Sequence, residues 1–592
     1  ISGRNDYTST TMKWLYSDGT TLKVFKETEK YHPEDATQGY LMLGDFNGDG
    51  AVELANYGTM IDTSSETLDE KIHVYSMGTS VPGLGKIKKI TDGLGRGIRI
   101  QYESAAKPSV YTRADDGAYP LNTYCLPVAV VSSASFDNGA AGIQYLKYRY
   151  GGLKLHIAGK GMLGFTEVTK ENTTAKIKET QTVVQRDGRH LIPTEVRSVT
   201  AIGGSTSETV SRTTVADTGN GNYFAYVSET EAVDLDGNRT VSSTAYDTAK
   251  GVVTEKTILY GGDGMYRRTA YSGYEKRGGR WLPATVTATQ KHADSAVPFT
   301  DVTEYAYDDR GNVTTKMEHS GTDMQLVTSA TYDSYGNVLS SQQAGRGVVS
   351  VTKHNEYDAS GRFVTKTYES PSSAVNTFVY DMWGNLLEES DATEPDNILT
   401  TTHTYDGWGR RTSTTEPDGT LTEWSMAWGK SYDFRYCIGE TSTSKPWVNT
   451  WYDECSRETC VQSIGEKYVD IRKRTIYDKK GNVSRTVGKT GNLTVTEDFT
   501  YDERGRMLTS TSSTGKTAEY GYGNRSVVCT VAGRGYTKTY DAWGNVVSSS
   551  DPISEVTYRY SSIGKPESVS TNGTEVTMTY DAAGNKTSLT DP

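Results

Sequence analysis

Apolar and polar residues alternate in short runs along much of the chain. Near the C-terminus, Val576, Met578 and Tyr580 alternate with polar residues such as Glu575 and Thr577. An alternation of period two places one set of side chains on each face of a β-strand. No long stretch shows the 3.6-residue spacing of an amphipathic helix, and only 15 Pro residues interrupt the pattern. The pattern therefore predicts an all-β protein.

A second regularity is the repeat Tyr-Asp-x-x-Gly-(Asn/Arg), written YD below. From Tyr307 to Tyr405 the copies begin 23 to 25 residues apart, and from Tyr540 to Tyr580 they begin 20 residues apart, which is the mark of a repeat architecture. Weaker copies stand at Tyr246, Tyr452 and Tyr560. The nine near-complete copies contain Tyr307, Asp308, Gly311; Tyr332, Asp333, Gly336; Tyr357, Asp358, Gly361; Tyr380, Asp381, Gly384; Tyr405, Asp406, Gly409; Tyr477, Asp478, Gly481; Tyr501, Asp502, Gly505; Tyr540, Asp541, Gly544; and Tyr580, Asp581, Gly584.

Each copy has the residues of a hairpin turn. Asp suits the first position of a type I turn, and Gly suits the left-handed residue that closes a three-residue loop with a bulge. Asn572-Gly573 supplies a tight turn of the other kind between two strands. The repeats therefore predict a long antiparallel meander of hairpins with local contacts.

Composition agrees with a sheet that has a thin apolar layer. The 592 residues are 35% hydrophobic, yet they include 41 Tyr and 60 Gly. A net charge of −12 argues against nucleic acid as a partner, because phosphates repel an acidic surface. No apolar run is long enough for a membrane span. Five scattered Cys exclude a disulfide scaffold, and we expect ordinary strand cysteines.

One loop has the chemistry of a metal site. Side-chain oxygens of Asp45, Asn47, Asp49 and Glu53 and the carbonyl of Ala51 surround Gly50 at spacings that suit Ca²⁺. Residue 56 is Asn, so the loop is not an EF-hand. The sequence predicts a structural Ca²⁺ loop, and a metal-free polar turn is the alternative.

Other motifs have simpler explanations. Gly159 to Gly164 matches a dinucleotide fingerprint, but the residues after it read as a strand, so we expect a glycine turn. The YD aspartates are expected in turns rather than in a catalytic carboxylate pair. The YD tyrosines should pack on the neighbouring repeat, with sugar stacking as the alternative. Trp383, Trp408 and Trp543 stand just before the repeat Gly and either cover the adjacent hairpin or form a carbohydrate-binding row. No residue is assigned to catalysis or to another cofactor.

The YD copies resemble those of the Rhs/YD-repeat family, which includes Tc toxin B and C components, wall-associated proteins and teneurins. Residues 86–102 and 145–168 are similar to the Tc B-component (SpvB-like) middle region, and 44–50 to FG-GAP/VCBS propeller repeats. The resemblance implies a propeller end (1–85), a middle β region (86–230) and a YD array (231–592). It also implies that the array coils into a curved, hollow, partial shell.

The resemblance further implies a function. In this family the shell encloses a C-terminal toxin or effector, so we expect a structural, non-enzymatic role with that polypeptide as cargo. Delivery or receptor partners and a secreted or cell-surface bacterial location are expected too. Because the sequence opens at Ile1 and stops after a repeat, we expect a piece of a larger protein, without the autoprotease segment or the toxin. The alternative is a teneurin-like adhesion module that binds cell surfaces or glycans, and a glycan hydrolase is a third hypothesis without a catalytic constellation.

Overall fold

The structure is a computed structural model of the chain. It describes residues 10–17, 22–31, 39–44, 53–62, 67–75 and 86–592, without 220, 263, 373, 395 and 430–433. The chain divides into two compact units. The first comprises 1–137, 144–174 and 178–182, and the second comprises 138–143, 175–177 and 183–592. The predicted boundaries at 85/86 and 230/231, and the propeller end, stay predictions.

The first unit consists of strands of 2 to 14 residues and a small core. Its strands, with β13 shared between the units, are β1 (Thr10–Ser17), β2 (Leu22–Tyr31), β3 (Gly39–Gly44), β4 (Glu53–Asp62), β5 (Thr67–Tyr75), β6 (Lys89–Thr91), β7 (Gly97–Ser104), β8 (Tyr111–Thr112), β9 (Leu121–Thr123), β10 (Ala129–Asp137), β11 (Ile143–His156), β12 (Gly161–Asn172) and β13 (Ile177–Arg186).

Pairing in this unit is mostly antiparallel. β1 pairs with β2, and β4 lies between β3 and β5. β7 pairs with β6 and β10, while β11 pairs with β12, with β9 and, in parallel, with β8. The core contains Ala105, Val110, Tyr111, Val130 and Leu153. The Tyr111 hydroxyl donates to the Tyr124 carbonyl (2.6 Å) and accepts from the Leu153 N–H (3.0 Å), so burial leaves it satisfied.

The second unit contains the repeats. Its strands are β14 (Pro193–Ile202), β15 (Ser205–Gly219), β16 (Asn222–Val233), β17 (Arg239–Asp247), β18 (Val252–Tyr260), β19 (Met265–Arg277), β20 (Arg280–Lys291), β21 (Phe299–Tyr307), β22 (Val313–Glu318), β23 (Leu326–Tyr332), β24 (Val338–Gly345), β25 (Thr352–Tyr357), β26 (Val364–Ser370), β27 (Val375–Tyr380), β28 (Leu386–Asp391), β29 (Leu399–Tyr405), β30 (Arg411–Thr415), β31 (Leu421–Trp428), β32 (Tyr436–Ser442), β33 (Val448–Tyr452), β34 (Glu458–Ile464), β35 (Asp470–Tyr477), β36 (Val483–Thr490), β37 (Leu493–Tyr501), β38 (Met507–Ser512), β39 (Thr517–Gly523), β40 (Ser526–Val531), β41 (Arg534–Tyr540), β42 (Val546–Ser550), β43 (Glu555–Tyr560), β44 (Pro566–Thr571), β45 (Thr574–Tyr580) and β46 (Lys586–Thr590).

From β14 to β46 every strand pairs antiparallel with the next, so the repeats form one continuous ribbon. A bulge interrupts the register at the repeat Tyr, for example between Ala306 and Tyr307. The described helical residues are two short 3₁₀ turns, Gly139–Ala141 and Glu466–Tyr468. The predicted antiparallel meander of hairpins is therefore confirmed.

This ribbon is a single layer over most of its length. Among the described hydrophobic residues of the second unit, Ala141, Ala175, Leu191, Met265 and Tyr560 are the buried ones. Strand β39 is typical, with exposed and half-buried side chains in strict alternation. A sheet without a second layer must gain its stability from cross-strand pairs and from contacts between neighbouring repeats.

The repeat Gly should be intolerant of a side chain because of its backbone conformation. Gly544 has φ +85°, and no atom lies within 4 Å of a Cβ built there, so Gly544→Ala tests conformation alone. We expect a cost of about 1–2 kcal/mol, seen as a lower urea midpoint and faster amide exchange in the turn. Gly535→Ala is the control, because Gly535 also has open space and no left-handed φ. Equal behaviour of the two variants would contradict the turn geometry.

Candidate functional site

The YD turns line one edge of the ribbon and share one hydrogen-bond pattern. In the copy at Asp308, Oδ1 accepts the backbone N–H groups of Arg310 and Asn312, both at 2.9 Å. Oδ2 accepts the side-chain amide of Asn312 at 2.8 Å. The Gly311 N–H donates to the Asp308 carbonyl, and Gly311 has φ +92°. One carboxylate thus holds both ends of a type I turn and its left-handed residue.

This geometry explains why the residue after Gly is Asn or Arg. In two of the three copies with Arg there, its Nε donates to the same carboxylate oxygen, as Arg410 does to Asp406 (2.7 Å) and Arg506 does to Asp502 (2.8 Å). In the longer copy at Asp358, Arg362 Nε donates to the Ser360 hydroxyl, which in turn donates to Asp358 Oδ2. Both residue types can place an N–H donor on Oδ2. The two forms of the repeat are therefore interchangeable as turn locks.

The structure places the aspartates of all nine copies in such turns. The copy at Asp358 is one residue longer, because Asp358 N–H bonds to the Phe363 carbonyl. The aspartates with side-chain bonds to their own turn backbone are Asp308, Asp333, Asp358, Asp381, Asp406, Asp478, Asp502, Asp541 and Asp581. Each of these carboxylates therefore faces the backbone of its own turn.

Hydrogen bonding favours the ionised form of the turn carboxylates of Asp308 and Asp358. The side-chain amide of Asn312, together with backbone N–H groups, lowers the pKa of Asp308 below its ordinary value. The Phe363 N–H and the Ser360 hydroxyl lower the pKa of Asp358 to about 2. These acceptors are strongest when they are charged.

The repeat tyrosines join one hairpin to the next. The Tyr332 hydroxyl donates to the Val313 carbonyl (2.7 Å), and the Tyr501 hydroxyl donates to the Val483 carbonyl (2.7 Å). In each case the acceptor lies six residues after the preceding repeat Tyr. The same bond is made by Tyr307, Tyr357, Tyr477, Tyr560 and Tyr580 to carbonyls of the preceding hairpin.

The YD edge also contacts a much earlier part of the same unit, along a line that we call the seam. Arg504, in the YD turn at Asp502, is 16% exposed. Its guanidinium donates to Asp236 Oδ1 (2.5 Å), the Ser205 hydroxyl (2.6 Å) and the Leu235 carbonyl (2.8 Å). The residue that the repeat leaves variable is therefore an anchor here.

A second seam contact surrounds Asp453, whose side chain is 0% exposed. Asp453 Oδ2 accepts from the Ala140 N–H (3.1 Å) and from Arg457 Nε (2.9 Å). Arg457 also donates to the Asn138 carbonyl. A Cβ on Gly139, which has φ +60°, would lie 2.6 Å from Asp453 Oδ2, so this close approach requires glycine.

A third seam contact is built around His292, which is 1% exposed. Its Nε2 lies 2.7 Å from Asp541 Oδ2, and its Nδ1 accepts from the Asp294 N–H (3.2 Å). The Trp543 ring lies edge-on to His292 (5.2 Å) and under the Arg267 guanidinium (4.6 Å). This YD turn is thus packed against the loop after β20.

The seam contacts advance in order along the chain. Loops near 138, 176, 235 and 292 meet turns near 457, 503, 504 and 541, at sequence separations from 249 to 327 residues. A ribbon whose one edge meets its own opposite edge at such separations coils once in that length. The second unit is therefore a coiled wall.

Sequence reasoning missed the seam residues. His292 carries no local pattern, and Arg457 and Arg504 stand in YD-type turns like any others, so nothing nearby in sequence marks partners that lie hundreds of residues away. Trp543 carries no distinguishing signal either, because it occupies the same turn position as Trp383 and Trp408 and differs from them in its seam neighbours His292 and Arg267. Asp92-Gly93-Leu94-Gly95 was also missed as a YD-type turn without Tyr, although Asp92 Oδ1 accepts the Arg96 N–H at 2.8 Å.

The other predicted residues lie as follows. Asp45, Asn47, Asp49 and Ala51 are outside the described residues, and for Glu53 only the backbone is described, so the Ca²⁺ loop stays a prediction. Among described residues, no group of three His, Cys, Asp or Glu could hold a metal ion. Gly159 lies in the turn between β11 and β12, whereas Gly161 and Gly164 lie in β12.

The tryptophans differ from one another. Trp383 is 81% and Trp408 is 88% exposed, whereas Trp543 is half-buried at the seam. The adjacent hairpin therefore leaves two of the three rings uncovered, contrary to the expected cover role for Trp383 and Trp408. No helix in the described part of the chain has the length and apolar character needed to cross a bilayer.

Two parts of the chain match known protein families. Residues 18–193 match the family described as insecticide toxin TcdB middle/N-terminal region, and residues 380–421 match the RHS repeat. A search of curated proteins found no match to the sequence.

Solved structures share the fold. The crystal structure of TcdB2-TccC3-TEV has a TM-score of 0.64 at 10% identity, over 97% of this chain and 41% of that one. The crystal structure of TcdB2-TccC3-Cdc42 has a TM-score of 0.63 at 10% identity, over 98% of this chain and 42% of that one. The crystal structure of TcdB2-TccC3 without its hypervariable C-terminal region has a TM-score of 0.63 at 10% identity, over 97% of this chain and 41% of that one. The predicted fold class is confirmed, and the chain spans about two fifths of the length of these chains.

Arg504→Ala should open the seam locally. It removes three charge-assisted hydrogen bonds and leaves Asp236 without this partner, so we expect a loss of about 1–3 kcal/mol in unfolding free energy. Protease should then cut the 234–238 loop faster. Arg485→Ala is the matched control, because Arg485 bonds to Asp498 on the neighbouring strand in an exposed pair. Exposed pairs contribute about 0–1 kcal/mol. A control as damaging as Arg504→Ala would contradict the seam's role.

Acid should weaken the turns between about pH 4 and about pH 2. The folded pKa of Asp358 is lowered from 3.8 to about 2. Its stabilising contribution is therefore complete above the unfolded pKa and is lost as the pH falls through the folded pKa. The thermal unfolding midpoint should fall most steeply in this window, and less steeply in Asp358→Asn. Asp309→Asn, at a fully exposed turn carboxylate, should leave the profile nearly unchanged. A flat midpoint across the window would count against the turn locks.

Proposed function

We propose that this chain, which is an Rhs/YD-repeat protein of the Tc-toxin-like kind, forms part of a β-sheet shell that encloses a toxin or effector polypeptide and helps deliver it. The observation that carries the proposal is the seam, where a single-layer ribbon meets its own opposite edge after one coil. A coiled wall can surround a space, which a compact core could not. The role is structural rather than catalytic.

The proposed cargo follows from the physical character of such a wall. An unfolded polypeptide exposes apolar groups, and a wall that excludes bulk water and proteases can hold it without folding it. The matched structures contain TcdB2 with TccC3. We propose a comparable toxin-bearing polypeptide as the partner of this chain, with secretion or cell-surface display by a bacterium. The chain's own hairpins account for part of such a shell.

The remaining expectations belong to the same proposal. A propeller end within 1–85, a middle region from 86 to 230 and the array from 231 to 592 would be the order of domains along the chain. A Ca²⁺ ion held by Asp45, Asn47, Asp49, Ala51 and Glu53 would have a structural role there, stabilising one loop.

A second candidate function has one observation in its favour. The uncovered rings of Trp383 and Trp408 stand in adjacent YD turns, and exposed aromatic rings can stack on sugars. An adhesion role predicts glycan binding that is lost in Trp383→Ala and Trp408→Ala. Trp543→Phe, at the seam, is the control that should retain it.

Electron microscopy tests the shell proposal directly. Negatively stained particles of the purified protein should show a curved wall around a stain-filled centre, open on at least one side. A polypeptide that copurifies inside the wall should resist protease, and Arg504→Ala with Arg457→Ala should expose it. Solid, compact particles, or a bound polypeptide cut at the same rate with and without the seam substitutions, would overturn the proposal.

A further inference from the structure

One face of strands β33 to β35 brings aromatic, thiol and basic groups together. Trp451 pairs with Cys460, and Cys460 pairs with Arg474. On the next rung, Gln462 pairs with Arg472. Directly paired residues of adjacent strands project to the same face, and residues two apart on one strand do so too. All five side chains therefore share one face of the sheet.

These side chains and Phe434 line a cavity of about 410 Å³. That volume lies in the range of small ligand sites, roughly 300–1,000 Å³. The Phe434 and Trp451 rings have centroids 6.3 Å apart and planes inclined at 69°. The aromatic part of the cavity is therefore a corner, with one ring presenting its face and the other its edge.

The polar part of the cavity is basic. Arg472 and Arg474 both stand beside Cys460, and Lys489 pairs with Arg472 on the same face. Asp470 is an anion beside these cations. Its Oδ2 lies 3.7 Å from the Arg472 guanidinium, and its Oδ1 accepts a hydrogen bond from Gln462 Nε2 at 2.7 Å. Glu458 also stands beside Cys460, so three cations and two anions leave a local excess of one positive charge.

Two details favour an anionic guest. Arg472 Nε is buried and has no hydrogen-bond partner among the described residues, which is a costly state for a charged donor. Burial raises the pKa of the Cys460 thiol, so the cavity floor stays neutral and does not repel an anion near pH 7.

We propose that this cavity binds an acidic side chain and the aromatic side chain next to it in a bent polypeptide segment, because neighbouring side chains of an extended strand point to opposite faces. Guanidinium groups hold carboxylates through paired N–H···O bonds, and they prefer this planar geometry. An inserted ring can meet the Phe434 and Trp451 corner edge to face. A sugar ring would need a flat, open aromatic face, which the corner does not offer. The inference goes beyond the shell role, because the cavity needs no enclosed space.

The alkylation rate of the Cys460 thiol reports whether the cavity is occupied. Iodoacetamide is neutral and alkylates free thiols, and peptide mapping by mass spectrometry gives the rate at each cysteine of the folded, full chain. Millimolar N-acetyl-Glu-Phe-amide should slow alkylation of Cys460 at least threefold and leave Cys529, on β40, unchanged. N-acetyl-Gln-Phe-amide and N-acetyl-Glu-Ala-amide should protect much less, because each lacks one half of the guest.

Several outcomes would overturn the proposal. The first two are no protection of Cys460 by the Glu-Phe peptide and equal protection by the Gln-Phe peptide. Equal protection by inorganic phosphate would indicate a simple anion site. Stronger protection by oligogalacturonate would indicate that the ligand is an acidic glycan. These arms use the unaltered protein, so they do not depend on the folding of any variant. Microscopy can contradict the shell proposal while Cys460 is still protected by the peptide. Loss of protection can likewise contradict the cavity proposal while microscopy still shows a shell.

Variants then assign the charge. Arg472→Gln and Arg474→Gln should each weaken protection by the Glu-Phe peptide about tenfold, whereas Arg474→Lys should retain part of it. Arg485→Gln is the matched control, since Arg485 lies on the same face opposite Ile476 but bonds to Asp498. Unchanged Cys529 alkylation shows that a variant is folded. Full protection in folded Arg472→Gln and Arg474→Gln would refute the assignment of the two guanidinium groups.

Discussion

A single carboxylate per repeat is the interaction on which the rest of this structure depends. The YD aspartate accepts backbone N–H groups of its turn through Oδ1. The side chain of the residue after Gly donates to Oδ2, as Asn312 does to Asp308 and Arg410 does to Asp406. Because a turn held in this way ends each strand at a defined residue, the next strand must return in a defined register. The alternation of faces in the ribbon follows from that register.

The ribbon can grow without a core because its contacts are local. The first unit buries Val110, Tyr111 and Leu153 in the ordinary way. In the second unit the repeat Tyr hydroxyl bonds instead to a carbonyl of the preceding hairpin, so each hairpin is attached to its neighbour. Because such a wall has no second layer, both of its faces can carry binding sites. One face of β33 to β35 carries a basic, aromatic cavity.

Coiling gives otherwise similar turns different roles. The repeat conserves its turn-forming residues within this chain and varies the two between Asp and Gly. At the seam those variable residues are Arg504 and Trp543, which bond to or pack on loops of the earlier coil. At Trp383 and Trp408 the same position faces solvent. The function of a YD turn therefore depends on which part of the ribbon reaches it.

Local chemistry made much of the fold predictable. Asp308 and Gly311 specify a turn whatever lies around them, because their hydrogen bonds and backbone angle involve only neighbours in sequence, and the alternation around Met578 specifies a strand for the same reason. The seam could not be read in this way. His292 meets Asp541, and Gly139 meets Asp453, only because small twists summed over ten or more hairpins bring one edge of the ribbon against the other. The sequence by itself determined the hairpins, their order and their antiparallel pairing. Only the tertiary structure decided which turns lie at the seam, which tryptophans stay exposed and where Arg472 and Arg474 meet Trp451, since these depend on accumulated curvature and on which side chains share a face across several strands.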